Sequence, residues 1–174
     1  AANALRQRLA AAHRVVLVDK RGEYVFTPSL LWVMVGQRRS NQITKDLRRM
    51  VRPGVEVLRA EVQQIQLERA RVCAGEQDLA YDYLVIALGA ELAPEALPGY
   101  AETAHNFFAL DGAMDLWQGL ARFERGRALV LVSSLPYKCP AAPYEAAMLL
   151  DDALRRRGVR GRCQVGAFTP EAQP

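Results

Sequence analysis

The feature that most constrains this 174-residue chain is a strand-to-helix junction within residues 128–157. Residues 128–132 predict a buried strand and residues 144–157 predict a helix, which is the order found in a dinucleotide-binding unit. Such a unit has glycines at the junction, so that backbone N–H groups can approach a pyrophosphate. Here the junction has no glycine, and Pro140 and Pro143 lack amide donors. The sequence therefore predicts an α/β fold whose loop does not bind phosphate.

Cys139 lies within that loop, between Lys138 and the predicted helix. A neighbouring ammonium group and a helix N-terminus both favour the thiolate form of a cysteine. The alternative is a buried cysteine in a proline-stiffened turn, because free cysteine is often a small core residue. Cys73 and Cys163 lie in strand-like segments, where packing is the predicted role. The three cysteines form no metal-ligand spacing and no disulfide framework, so no metal site is predicted.

The N-terminal residues have the pattern of the second half of a βαβ unit. Residues 1–12 predict a helix, and residues 15–18 predict a buried strand that ends at Asp19. A carboxylate at such a strand end accepts hydrogen bonds from a ribose hydroxyl. In the Rossmann pattern the first glycines lie ~20 residues before that acid, which places them at or just upstream of Ala1. We therefore expect a fragment whose first strand and glycine-rich turn precede Ala1.

The middle of the chain predicts further helices and short strands. Residues 25–35 are unusually apolar for a connection and predict a short helix ending at Gly36. Residues 41–51 and 111–123 predict amphipathic helices. Short strands are expected at 55–58, 61–67, 70–74, 79–83 and 164–168. Residues 84–87 are apolar on both faces, which predicts a buried parallel strand.

Three segments of the chain resemble one flavoprotein family. The K-C-P-x-x-P-Y-E pattern at 138–145 resembles the cysteine motif of sulfide:quinone oxidoreductases and of flavocytochrome c sulfide dehydrogenase flavoprotein subunits. The pattern Y-D-x-L-V-I-A-x-G-A at 81–90 resembles the closing motif of the flavin domain, with Leu88 in place of the usual threonine. The F-x-P-S-L pattern at 26–30 resembles a segment close to the flavin ring. Together with the acidic strand end, these motifs identify a fragment of a two-dinucleotide-fold flavoprotein.

The resemblance implies FAD as the cofactor and a division of the chain into two parts. A Rossmann-like FAD-binding half is expected over 1–93, a linker over 94–106, and a second, incomplete Rossmann-like half over 107–174. The cofactor-binding residues that it implies are Asp19, Pro28, Ser29, Ala87, Gly89 and Ala90.

The resemblance also implies an activity, in which sulfide attacks a cysteine disulfide or persulfide. A thiolate sulfur then gives an electron pair to the flavin, which passes it to a quinone or cytochrome c. Cys139 is the implied redox cysteine, and its partner is expected beyond Pro174. Glu145 either carries a proton or offsets the helix dipole, and both alternatives stay open. The fragment alone is expected to be inactive. The full-length protein is expected at the cytoplasmic membrane periphery or in the periplasm, with peripheral membrane association through the region beyond Pro174.

Three other functions stay open. A type II NADH dehydrogenase-like NAD(P)H:acceptor flavoenzyme would need glycines where residues 133–143 stand. The chain could also be a catalytically inert truncated piece, or a thiol-based redox or binding module without flavin. Nucleic-acid binding is not expected, because the net charge of +4 comes from arginines spread along predicted helices without interleaved aromatic residues.

Overall fold

The computed structural model describes residues 1–171, and the last three residues of the predicted 107–174 half lie outside that range. The fold is α/β, as the sequence predicts. In the part that is described, no helix is long and apolar enough to cross a membrane.

The chain divides into two compact units, and each contains two separate segments. Unit 1 comprises residues 1–25 and 44–91, and unit 2 comprises residues 26–43 together with residues from Leu92 onward. In chain order, unit 1 contains α1 (Ala2–Arg8), β1 (Val15–Asp19), β2 (Glu23–Val25), β3 (Thr44–Asp46), β4 (Val55–Arg59), β5 (Val62–Gln66), β6 (Arg71–Ala74) and β7 (Gln77–Ala80). Unit 2 contains α2 (Leu30–Met34), α3 (Ser40–Ile43), α4 (Tyr100–Thr103), α5 (Leu110–Arg122), β8 (Gly126–Leu131), α6 (Ala142–Arg156) and β9 (Cys163–Phe168).

In unit 1, β1 pairs in parallel with β4, from Val15 opposite Val55 to Asp19 opposite Arg59. Helix α1 lies beside this pair, and the Asn3 side chain fixes it there by bonding the backbone just before β4. Strands β5, β6 and β7 form a separate antiparallel sheet, in agreement with the predicted run of short strands. The parallel β1–β4 pair puts Asp19 at the carboxyl end of its strand, the edge where α/β sheets bind ligands.

The strand predicted at residues 84–87 is wrong. The chain has no helix or strand there, and the side chains of Val85, Ile86 and Leu88 are 61%, 60% and 69% exposed. A strand forms when a neighbour takes up its backbone hydrogen bonds, and none of the described strands lies beside this segment. The apolar sequence of residues 84–87 is thus not enough to produce a strand by itself.

The helix predicted at residues 41–51 is also wrong. Helix α3 ends at Ile43, and the chain then forms β3, which pairs with β2 in antiparallel fashion. A short 3-10 turn follows, in which the Asp46 carboxylate accepts the Arg48 N–H at 2.8 Å. The pairing with β2 decides the conformation, because helical propensity is a weak preference that tertiary contacts override.

In unit 2, residues 30–34 of the predicted apolar segment form α2, which packs against α5 and α6. Four of its five residues are buried, so the predicted short helix is confirmed as part of the core. Strands β8 and β9 pair in parallel, from Gly126 opposite Cys163 to Leu131 opposite Phe168. The predicted strand-loop-helix order is confirmed here, with α6 packing on both strands.

Arg157, just after α6, closes the C-terminal end of α5. Its guanidinium donates to the carbonyls of Leu120, Ala121 and Phe123, the last two at 3.0 and 2.8 Å. The last carbonyls of a helix have no partner within the helix, and a positive charge at that end also opposes the helix dipole. The side chain therefore joins the ends of two helices in unit 2.

We expect Arg157→Met to lower the free energy of unfolding of unit 2 by about 1–2 kcal/mol, because charge-assisted hydrogen bonds are lost while the apolar stem remains. The matched control is Arg155→Met, which breaks only the exposed ion pair with Asp151 and should cost less than about 0.5 kcal/mol. Urea denaturation followed by tryptophan fluorescence measures both, since Trp32 and Trp117 lie in unit 2. Equal losses in the two variants would contradict the role of Arg157.

Candidate functional site

Asp19 is half-buried at the end of β1, and its carboxylate is partly used by the turn that follows. Its Oδ1 accepts the N–H groups of Arg21 and Gly22 at 2.9 and 2.6 Å. Gly22 has a φ of +67°, which lets the chain turn back toward the carboxylate. Oδ2 bonds to none of the described residues. One carboxylate oxygen thus remains to accept a ligand hydroxyl, and this fits the ribose contact expected of a dinucleotide site.

Lys20, next to Asp19, forms an exposed ion pair with the residue that follows the predicted segment of Ala87, Gly89 and Ala90. Its ammonium group lies 3.2 Å from the Glu91 carboxylate and 3.5 Å from that of Glu61. The hydrogen bond and charge of Glu91, then those of Glu61, raise the pKa of Lys20 above its ordinary value. The end of the segment, at Glu91, therefore lies close to the residue after Asp19.

That segment is exposed and has room for a close approach. Gly89 has a φ of +78°, and no heavy atom of residues 1–171 lies within 4 Å of where a Cβ would stand. Glycine adopts this conformation without steric cost, and the open space admits a ligand against the backbone. The residues of unit 1 thus fit part of a dinucleotide site, namely the ribose carboxylate and a glycine turn.

The predicted residues Pro28 and Ser29 lie in unit 2, before α2. Pro28 is exposed, whereas Ser29 is 1% exposed. Ser29 occupies the N-cap position of α2, yet its hydroxyl makes no capping bond and accepts a hydrogen bond from Arg38 instead. The Arg38 guanidinium also lies 5.3 Å from the ring centre of Trp32. No motif in the sequence distinguishes Arg38 from the other arginines.

The loop between β8 and α6 exposes Cys139. Its φ of +62° is left-handed, a conformation that a non-glycine residue rarely adopts. Its carbonyl accepts the Ala142 N–H at 3.1 Å, where α6 begins. No glycine is present in the loop, and Pro143 takes one of the first two helical positions. The loop thus presents a thiol just before a helix N-terminus and lacks the donors that a phosphate needs.

Glu145 is half-buried in the first turn of α6. Its side chain hydrogen-bonds to none of the described residues, while its N–H bonds the Ala141 carbonyl at 3.0 Å in the ordinary helical way. A carboxylate in this position interacts favourably with the helix dipole. It also remains without a fixed partner, so both roles predicted for Glu145 stay predictions.

A carboxylate that the sequence analysis did not identify lies beside the loop. The Oε2 atom of Glu171 accepts hydrogen bonds from the hydroxyls of Thr169, Tyr137 and Tyr144, at 2.9, 3.0 and 3.0 Å. Bonds from Thr169, then from the two tyrosines, lower the pKa of Glu171. Partial burial and the adjacent carboxylate raise the pKa of Tyr137 to about 12, and the same causes raise the pKa of Tyr144. An acidic residue shortly after a predicted strand was the available sequence signal, as at Asp19.

Comparison with known proteins gives one family. The sequence profile described as "Pyridine nucleotide-disulphide oxidoreductase" matches residues 1–132. The mitochondrial sulfide:quinone oxidoreductase of Mus musculus is 27% identical, over 91% of this chain and 37% of that protein. The chain thus spans about a third of the length of the curated relatives that it matches.

Solved structures agree on the fold. The sulfide:quinone oxidoreductase from Aquifex aeolicus superposes with a TM-score of 0.75 at 22% identity, over 86% of this chain and 35% of that one. The structure of NDH2 from Plasmodium falciparum in complex with NADH gives 0.68 at 18% identity, over 86% and 34%. At these identities the likeness establishes the fold and not the substrate.

Proposed function

Because the chain belongs to the pyridine nucleotide-disulphide oxidoreductase family, whose members are FAD-dependent oxidoreductases, we propose that the full-length protein oxidises sulfide. The observation that carries this proposal is the loop before α6, which has no glycine and exposes Cys139. A flavoenzyme that binds NADH at this junction needs backbone donors for a pyrophosphate, whereas sulfide oxidation needs a reactive sulfur.

In the proposed site, Asp19 binds a ribose hydroxyl of FAD, and the turn at Gly89 lies against the nucleotide. Ala87 and Ala90 flank that turn, while Pro28 and Ser29 belong to the segment that resembles the flavin-adjacent motif. FAD, when bound, supplies the two-electron acceptor for sulfur.

Cys139 supplies the reacting sulfur in this proposal. Hydrosulfide attacks one sulfur of a disulfide between Cys139 and a second cysteine, so a new S–S bond forms, the old one breaks, and a thiolate leaves. Cys139 lies three residues before α6 begins, and a helix N-terminus is electropositive. Glu145 lies in that turn and is the candidate carrier for the proton that hydrosulfide brings.

A quinone is the favoured electron acceptor, because the mouse relative carries that acceptor in its name. Cytochrome c is the other acceptor, and peripheral membrane association belongs to the quinone alternative. A type II NADH dehydrogenase is the second candidate function, favoured by a relative named alternative NAD(P)H-ubiquinone oxidoreductase C1 from Arabidopsis thaliana, which is 28% identical over 84% of this chain and 31% of that protein. The prolines at 140 and 143 count against it, because they remove donors at the place where a dinucleotide would bind.

The two candidates differ in which reductant bleaches the flavin. We expect anaerobic sulfide to bleach the flavin absorbance of the purified full-length protein within its turnover time, while NADH leaves it oxidised. A quinone added to the reduced protein should restore the absorbance. Rapid bleaching by NADH, with sulfide inactive, would instead establish the dehydrogenase alternative.

A further inference from the structure

The loop that carries Cys139 has few attachments to the rest of unit 2. Of residues 133–141, Tyr137 alone is not exposed. At the two ends of the loop, the backbone is held by the bond from Val132 to Phe168 and by that from Ala142 to Cys139. Between those ends, Tyr137 provides the side-chain hydrogen bond that reaches across unit 2. This residue is therefore the internal anchor of the loop.

The Tyr137 hydroxyl donates to Glu171, and one carboxylate oxygen of Glu171 accepts hydrogen bonds from three hydroxyl groups. Thr169 follows β9, Tyr144 lies in the first turn of α6, and Tyr137 lies two residues before Cys139. The backbone N–H of Glu171 donates to Oγ1 of Thr169 at 3.2 Å. An ionised carboxylate has no proton to donate, so each of the three hydroxyls donates to Oε2 of Glu171. Such charge-assisted bonds are stronger than those between neutral groups. One carboxylate thereby ties the loop, the helix and the strand together.

The loop conformation at Cys139 has to be held by other residues, because the Cys139 backbone has a φ of +62°. A non-glycine residue keeps a left-handed conformation only when its surroundings hold it there. From this geometry we propose that Glu171 is a positioning residue, which acts through Tyr137 and Tyr144 to hold the Cys139 thiol in its reactive orientation. The inference rests on the proposed role of Cys139 in sulfide oxidation.

The first test measures the loop itself and needs no activity. In the full-length protein, Glu171→Gln and Tyr137→Phe should each increase amide hydrogen exchange in residues 132–142, where the Val132 and Ala142 N–H groups are hydrogen-bonded at the two ends of the loop, because the internal anchor is weakened. Glu124→Gln, an exposed glutamate of the same unit, should leave that exchange unchanged. Unchanged exchange in Glu171→Gln would overturn the proposal whatever the enzyme does.

The second test measures flavin reduction by sulfide in the same variants. Glu171→Gln should lower the limiting rate by about 10- to 100-fold, because small displacements of a reacting group are costly. The half-saturating sulfide concentration and the FAD content should stay at the parental values. A Glu171→Gln/Tyr137→Phe double variant should be no slower than the slower single variant, since both changes disrupt the same Tyr137–Glu171 interaction.

The two proposals fail in different ways. A parental limiting rate in Glu171→Gln, or additive losses in the double variant, would overturn the positioning role while Cys139→Ser still abolishes the reaction. Parental sulfide oxidation in Cys139→Ser would overturn the proposed function and, with it, the catalytic meaning of the cluster. Hydrogen exchange in residues 132–142 would then still decide whether Glu171 anchors the loop.

Discussion

Replacing Cys139 by serine is expected to abolish sulfide-dependent flavin reduction in the full-length protein, by at least about 1,000-fold, the scale on which loss of a nucleophile acts. A hydroxyl is not ionised at neutral pH, and it neither forms a persulfide nor gives an electron pair to flavin. The side chain is exposed, and serine occupies similar space. We therefore expect the FAD content and the melting temperature to stay near the parental values.

The other two cysteines provide matched controls for this variant. Cys73 is half-buried in β6, and Cys163 is 5% exposed at the start of β9. Cys73→Ser and Cys163→Ser should keep the parental turnover, with a stability loss of about 1 kcal/mol or more at the buried site. Residue-by-residue alkylation by iodoacetamide should label Cys139 faster than Cys163. If the Cys139→Ser protein oxidises sulfide at the parental rate, Cys139 is a structural residue.

The second large effect is expected at Gly36, which follows α2. Its φ is +71°, and a Cβ there would lie 2.5 Å from ring atoms of Trp117 in α5. Gly36→Ala therefore combines a left-handed non-glycine residue with a clash inside the packed α2–α5 contact. We expect the free energy of unfolding of unit 2 to fall by about 2–3 kcal/mol, the sum of a strained backbone and a clash with the Trp117 ring, which is 37% exposed.

Gly158 separates these two contributions. Its φ of +70° matches that of Gly36, but nothing lies within 4 Å of the position of its Cβ. Gly158→Ala should therefore cost only the backbone strain, about 1 kcal/mol. Urea denaturation followed by tryptophan fluorescence compares the two variants directly. Equal losses would show that Trp117 moves away without cost and that packing at Gly36 is loose.

Sequence patterns correctly predicted the elements whose conformation follows from the apolar periodicity of their own side chains. Residues 30–34 of the apolar run became the buried helix α2, since so many apolar side chains are stable only in a core. The strand-loop-helix order around Cys139 was equally predictable, because strands and amphipathic helices have different periods. The predicted burial of that strand was wrong, because Val130 is the one buried residue of β8. The family resemblance added FAD, which no periodicity indicates.

Patterns failed where a distant partner decides the conformation. Residues 84–87 have the composition of a buried strand, but backbone hydrogen bonds require a neighbouring strand. Residues 44–46 lie in a segment with a helical pattern, and pairing with β2 made them a strand. In both cases the local sequence favours one backbone conformation, and the presence or absence of a neighbouring strand determines which conformation forms.

By itself, the sequence determined the α/β class, the core helix α2, and a cysteine placed before a helix instead of a glycine turn. Only the tertiary structure showed that Glu171 accepts bonds from Tyr137 and Tyr144, 34 and 27 residues earlier in the chain. It also showed that Lys20 bridges to Glu91 across 71 residues. Periodicity and propensity describe residues that are close along the chain. A long-range hydrogen bond depends instead on distances in space. The packing of β8, β9 and α6 sets those distances for Glu171, and the position of β1 sets them for Lys20.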